Sequence, residues 1–128
     1  MDLLIITESD LRLLRMLKPH DELQHELERA IVVSSDAVPK DVVTMNSRVL
    51  YVDETTGERR LVQIVYPEGA DAGTGKVSVL APVGAALLGL SVGQAIEWDF
   101  PGGSRRRLRV EDVSYQPECA GRRGALDP

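Results

Sequence analysis

A change of period near residue 40 constrains this chain more than any other feature. Upstream, apolar side chains recur every three or four residues: Leu11, Leu14 and Leu17, flanked by Leu13 and Met16, then Leu23, Leu27, Ala30 and Ile31. That spacing lines one face of a helix. Downstream of Pro39 it gives way to alternation, the pattern of strands with one buried face. A chain holding both must set helices against a sheet, so an α+β fold is predicted. At 128 residues there is room for one ordinary domain with a small appendage. A content of 43% hydrophobic and 27% charged residues is that of a globular protein, which argues against wholesale disorder.

Thr7-Glu8-Ser9-Asp10 has the layout of a helix start, a hydroxyl cap with an acid three residues on. Lys18-Pro19-His20 ends that helix, because proline lacks the donor and excludes its predecessor from helical geometry. Asp21 then caps a second helix, with Gln24 completing a capping box. Two short helices joined by a tight turn predict an antiparallel helical hairpin, its stripes packed on each other because such helices are marginal alone. The hairpin and its connector, Ser34 to Val43, account for residues 1–43.

Alternation then predicts a strand over 43–51, a turn at 53–58 and a returning strand over 61–66. Residues 67–75 carry three glycines and a proline and read as a loop, followed by a short strand at 76–80. Pro82 suits the first turn of a short helix stopped by Gly89. Strands over 95–100 and 105–115 flank the Pro101-Gly102-Gly103 turn. In the last strand Leu108 and Val110, with Asp112, share one face, while Arg105, Arg107 and Arg109 share the other. Residues 44–116 thus read as a small antiparallel sheet carrying one short helix, and residues 117–128 as a flexible tail.

Several functions are disfavoured. The start of the chain has no basic region and an apolar run of only four residues, so no signal peptide is read and a cytoplasmic location is expected. No apolar run approaches the length of about 18 residues that spans a bilayer. Cys119 is the only cysteine, which excludes an internal disulfide and a cysteine-based metal site. A net charge of -5 argues against tight binding to nucleic acid. Most of it falls on residues 1–43, with nine acids and five bases, against eleven and ten in the rest. His20 and His25 both lie in the hairpin, five apart, a spacing that on a helix gives different faces, so a shared metal is not expected. The glycines at 69, 73 and 75 lack the Lys-Ser/Thr of a phosphate-binding loop. Alternation sends Arg105, Arg106 and Arg107 to opposite sheet faces, so they are read as a solvated strand. No catalytic constellation, metal site or cofactor site is read, and the protein is not expected to be an enzyme. Asp21 and Glu22, at the hairpin tip, sit where carboxylates serve a helix N-terminus in any case.

The run from Leu80 to Gly89, with Gly93 and Pro101-Gly102-Gly103, resembles the C-terminal domain of the Gre transcript-cleavage factors. There a strand leads into a short helix opened by Ser-Pro and closed by Leu-Leu/Ile-Gly, followed by a Pro-Gly-Gly hairpin. Asp41 to Val49, Tyr66-Pro67 and Tyr115-Gln116-Pro117-Glu118 are similar to the Rnk branch of that family, whose members are described as regulators of nucleoside diphosphate kinase. The resemblance covers about residues 3–118. It implies an FKBP-like domain behind a truncated coiled coil that binds bacterial RNA polymerase near its secondary channel; separately, a monomer is expected. Gre factors carry tip carboxylates down that channel to help hold a catalytic Mg2+ ion. Here each helix is expected to have about ten to twelve residues, or about 15 to 18 Å. That is too short to bring Asp21 and Glu22 to a deep active site. The expectation is therefore a channel occupant that competes with Gre factors without promoting cleavage. The family's polymerase contact falls here on Leu80, Ala81 and Pro82, continued by Val83, with Ala81 in place of the serine. Two alternatives remain: control of nucleoside diphosphate kinase, and prolyl isomerase activity on the FKBP-like fold. The chain's five aromatics are thin for a proline pocket.

Overall fold

The computed structural model describes residues 4–17 and 21–120. The chain opens with a short strand, β1 (Ile5–Thr7), that runs straight into helix α1 (Glu8–Met16). The Thr7 hydroxyl caps α1 by accepting the Asp10 N–H at 3.1 Å. Helix α2 (Asp21–Arg29) follows and leads into a second short strand, β2 (Ile31–Val33), which pairs parallel to β1. Local pattern did not reveal this ribbon. Three-residue strands carry almost no period, and β1 is held by a bond formed only in the fold, its Ile5 N–H reaching the Gly89 carbonyl at 3.0 Å. Gly89 has φ +85°, and a Cβ there would lie 3.1 Å from that of Leu4, so glycine both stops the preceding helix and admits β1. The turn expected at Lys18-Pro19-His20 lies outside the described residues.

The body is a five-stranded sheet in the order β5-β4-β3-β7-β6. Its strands are β3 (Arg48–Asp53), β4 (Arg59–Val65), β5 (Lys76–Ser78), β6 (Ala95–Phe100) and β7 (Ser104–Tyr115), with helix α3 (Pro82–Leu87) between β5 and β6. The sheet is not wholly antiparallel as expected, because β5 runs parallel to β4. The intervening segment carries the chain back before turning: Asp71 bridges Lys76, and the turn between them is closed by Gly75 in the left-handed region.

Strand β3 also begins later than the alternation at 43–51 suggested. Residues 44–47 form a turn with Asn46 at φ +68°, and Val42, Val43, Thr44 and Met45 are all buried. Side chains buried in succession belong to an enclosed loop, not to a one-faced strand. In β7 a register shift leaves Glu111 without a partner between the pairs Tyr51–Val110 and Leu50–Asp112. Such a bulge reverses the alternation, so Asp112 is exposed and does not share the buried face of Leu108 and Val110.

One core joins the helices to the sheet. Leu11 and Leu14 of α1 and Leu23 and Leu27 of α2 are buried in the same cluster as Val49, Ile64, Trp98, Leu108 and Val110. The helical region is therefore not a free appendage. The expected tail at 117–128 is also bound at its start: residues 117–120 make a helical turn, and the buried Gln116 donates from Nε2 to the carbonyls of Pro39 and Val42, at 2.6 and 2.9 Å. Cys119 is half-buried in that turn and donates its N–H to Gln116 Oε1 at 3.2 Å.

Candidate functional site

Two places concentrate polar chemistry. The first lies at the start of α3, where the family resemblance put the polymerase contact. Ala81 is the N-cap and Pro82 the first helical residue, with fixed φ and no N–H to satisfy. Ala81 has no side chain with which to cap the free N–H groups. Behind it, Ser78 shapes the approach by accepting the Leu80 N–H on Oγ at 3.0 Å and the Ala81 N–H on its carbonyl at 3.0 Å. Gly84 makes this possible, since a Cβ there would lie 2.9 Å from the Ser78 carbonyl carbon and 3.0 Å from Val79 Cα. Ala85, Ala86 and Leu87 are buried, whereas Leu80, Ala81, Pro82 and Val83 are half-buried. They form one accessible edge, anchored from below.

Val83 also borders a cavity of about 150 Å³ lined by Tyr51, Asp53, Glu58, Arg60 and Arg106. The buried Asp53 carboxylate accepts from Arg106 at 3.3 Å, and the Arg106 guanidinium lies 5.0 Å from the Phe100 ring centroid. Arg60 pairs with Glu58 at 3.1 Å. Burial raises the Tyr51 pKa above its usual value. Tyr51 is the only aromatic among those lining residues, and the four charged groups there suit polar recognition better than an apolar proline ring.

The second place is where α1 meets the body, and sequence reasoning missed it. Asp10 is only 8% exposed. Its Oδ2 accepts the Met45 N–H at 3.1 Å, and its Oδ1 lies 3.5 Å from the Tyr66 hydroxyl. Burial raises the Asp10 pKa; the Met45 N–H opposes the shift and the neighbouring Glu118 adds to it. Tyr66 is likewise pushed up, by burial first and then by Asp10. Thr44 completes the network, its hydroxyl donating to Glu118 Oε1 at 2.7 Å and lying 2.9 Å from Ser47 Oγ. A signal was present. Thr7, Asp10, Leu11 and Leu14 share one helical face, so Asp10 stands on the core-facing stripe rather than at an ordinary solvated helix start.

The remaining predicted groups are dispersed. Asp21 and Glu22 open α2, but their side chains lie outside the described residues, as does His20. His25 is exposed on α2. Among the described residues no group of three or more His, Cys, Asp or Glu side chains is placed to hold a metal ion, and no helix is long and apolar enough to cross a membrane. The arginines of β7 are matched by acids: Arg107 to Glu54 at 2.9 Å, Arg109 to Glu54 at 3.0 Å, and Arg105 to Glu97 at 3.4 Å and to Asp99. These exposed pairs add little stability, but they neutralise the strand's positive charge.

This sheet, this short Pro-initiated helix and the two helices in front have counterparts in a family of transcription elongation factors. Residues 38–115 match the family described as transcription elongation factor, GreA/GreB, C-term, and the chain belongs to that family. Within it, the chain is 50% identical over 101 residues to the regulator of nucleoside diphosphate kinase of Escherichia coli K12, covering 79% of this chain and 74% of that protein. It is 39% identical over 85 residues to the transcription elongation factor GreA of Mesorhizobium japonicum, covering 66% of this chain and 54% of that factor. The solved structure of a GreA/GreB transcription elongation factor from Nitrosomonas europaea superimposes with a TM-score of 0.71 at 40% identity, covering 90% of this chain and all of the other. These relatives are named as a regulator and as elongation factors, not as catalysts.

Proposed function

We propose that this protein binds bacterial RNA polymerase near its secondary channel, does not promote transcript cleavage, and competes there with Gre factors. The observation that carries the reading is the length of the two helices. Each has nine residues, hence about 13 Å at 1.5 Å per residue. Asp21 and Glu22 open α2 on an arm too short to deliver carboxylates to a deep catalytic centre. Membership of the GreA/GreB family supports the choice of partner. The accessible edge from Leu80 to Val83 is the proposed docking edge, with Ala81 supplying no hydroxyl to the contact.

The test is a cleavage assay on backtracked polymerase complexes with Mg2+. The protein is expected to leave RNA 3′ ends intact and to suppress cleavage by an added Gre factor. Shortened transcripts above the intrinsic rate would overturn the length argument. A second reading rests on the name of the Escherichia coli relative, which points to nucleoside diphosphate kinase. Direct control of that enzyme predicts a changed rate of phosphoryl transfer when the two purified proteins are mixed. Polymerase binding alone predicts no change.

A further inference from the structure

Helix α1 carries two apolar stripes. Leu11 and Leu14 face the core, whereas Leu13 and Met16 point outward, 46% and 74% exposed. With Leu17, Tyr66 and Glu68 they line a cavity of about 210 Å³. A second cavity of about 270 Å³ shares Tyr66 and Glu68 with the first and reaches past Gln63 to Lys76. The two meet at Tyr66 and Glu68 and are treated as one groove, apolar at the α1 end and polar at the other. A nine-residue helix that is apolar on two sides has one face too many for a single core.

The charge around this groove differs from that of the sheet. There, Asp53, Glu54, Glu58, Glu97, Asp99 and Glu111 are each paired with an arginine. Asp10, Glu68 and Glu118 make no ion pair among the described residues, and all three act on Tyr66 in the same direction, raising its pKa. At the apolar end of the groove Glu68 is the one charged lining residue, beside the Tyr66 ring whose hydroxyl lies 3.5 Å from Asp10 Oδ1.

The geometry points to a docking groove for a protein segment that carries an apolar side chain followed by a lysine or arginine. The apolar side chain seats among Leu13, Met16 and Leu17, and the cation meets Glu68 and the face of Tyr66. Lys76 at the far end limits the basic stretch to a single cation. Resting on the polymerase reading, the groove is a second contact that shares no residue with Leu80 to Val83.

Met16→Ser and Glu68→Lys alter exposed side chains and keep the fold, which thermal unfolding verifies. Binding of each to purified bacterial core RNA polymerase is measured by equilibrium titration at low and high salt, beside wild type and Pro82→Asp. Each groove variant is expected to weaken binding about tenfold. The Glu68→Lys loss should shrink as salt rises, while the Met16→Ser loss persists. If both bind like wild type while Pro82→Asp is weakened, the groove is not a contact and the polymerase reading stands. Tighter binding by Glu68→Lys would mean an acidic occupant and overturn the proposal. Failure of wild type to bind removes the polymerase reading and this contact with it.

Discussion

Replacing Asp10 tests how the helices are fastened to the sheet. The carboxylate is held away from water with no ion-pair partner among the described residues, and the Met45 N–H is its backbone partner. In Asp10→Asn the amide oxygen still accepts that N–H and the buried charge is gone. In Asp10→Ala the Met45 N–H is left without an acceptor, a loss of about 1–3 kcal/mol, partly offset by removing the desolvated charge. At neutral pH the expected order of stability is therefore Asp10→Asn at or above wild type, with Asp10→Ala below both. The pH dependence follows from the direction of the shift. The folded pKa lies above the ordinary value of 3.8, so the folded state holds the proton more tightly than the unfolded state. Ionised Asp10 thus costs stability at neutral pH. The cost is relieved as pH falls through the folded pKa and is gone below the unfolded one. Urea unfolding of the three proteins from pH 7 down to pH 4 is the assay. The advantage of Asp10→Asn over wild type should be largest at pH 7 and vanish toward pH 4. An Asp10→Asn protein as weak as Asp10→Ala at pH 7, or an advantage that grows in acid, would refute the reasoning.

Pro82→Asp places an unpaired charge on the proposed docking edge and is expected to weaken polymerase binding by about 2 kcal/mol in a folded protein, read by titration. Gly84→Ala forces a Cβ against the Ser78 carbonyl, so α3 must shift from β5; a loss of about 1–3 kcal/mol is expected in urea unfolding, with weaker docking as a consequence. Leu27→Ala removes a buried side chain from the α2 stripe, typically about 2–5 kcal/mol in a core. Hydrogen exchange should show α2 loosening before the sheet, and competition with a Gre factor should fall if the helices occlude the channel.

The order of elements was legible from the residues alone wherever a period ran long enough to be local. The leucine stripes of α1 and α2, the strand at 95–100 and the Pro82-initiated helix fall where periodicity, proline and glycine put them. The start of the short helix at Ala81 and Pro82 was legible too, since capping chemistry depends only on near neighbours. The tertiary structure alone decided how these pieces are tied together. Met45 to Asp10 spans 35 residues, Tyr66 to Asp10 spans 56, and Gln116 to Pro39 spans 77. Each is a bond between polar groups that look solvated in the sequence, because period reports which face is buried and not which distant atom waits there. The same holds for β1 with β2, and for β5, whose parallel direction is set by the turn from Asp71 to Lys76. Sequence by itself determined the α+β layers and the short helices. Close packing then turned Asp10, an ordinary acid of a helix start, into the buried fastening between helices and sheet, because it brings there the Met45 N–H, 35 residues away, which needs an acceptor.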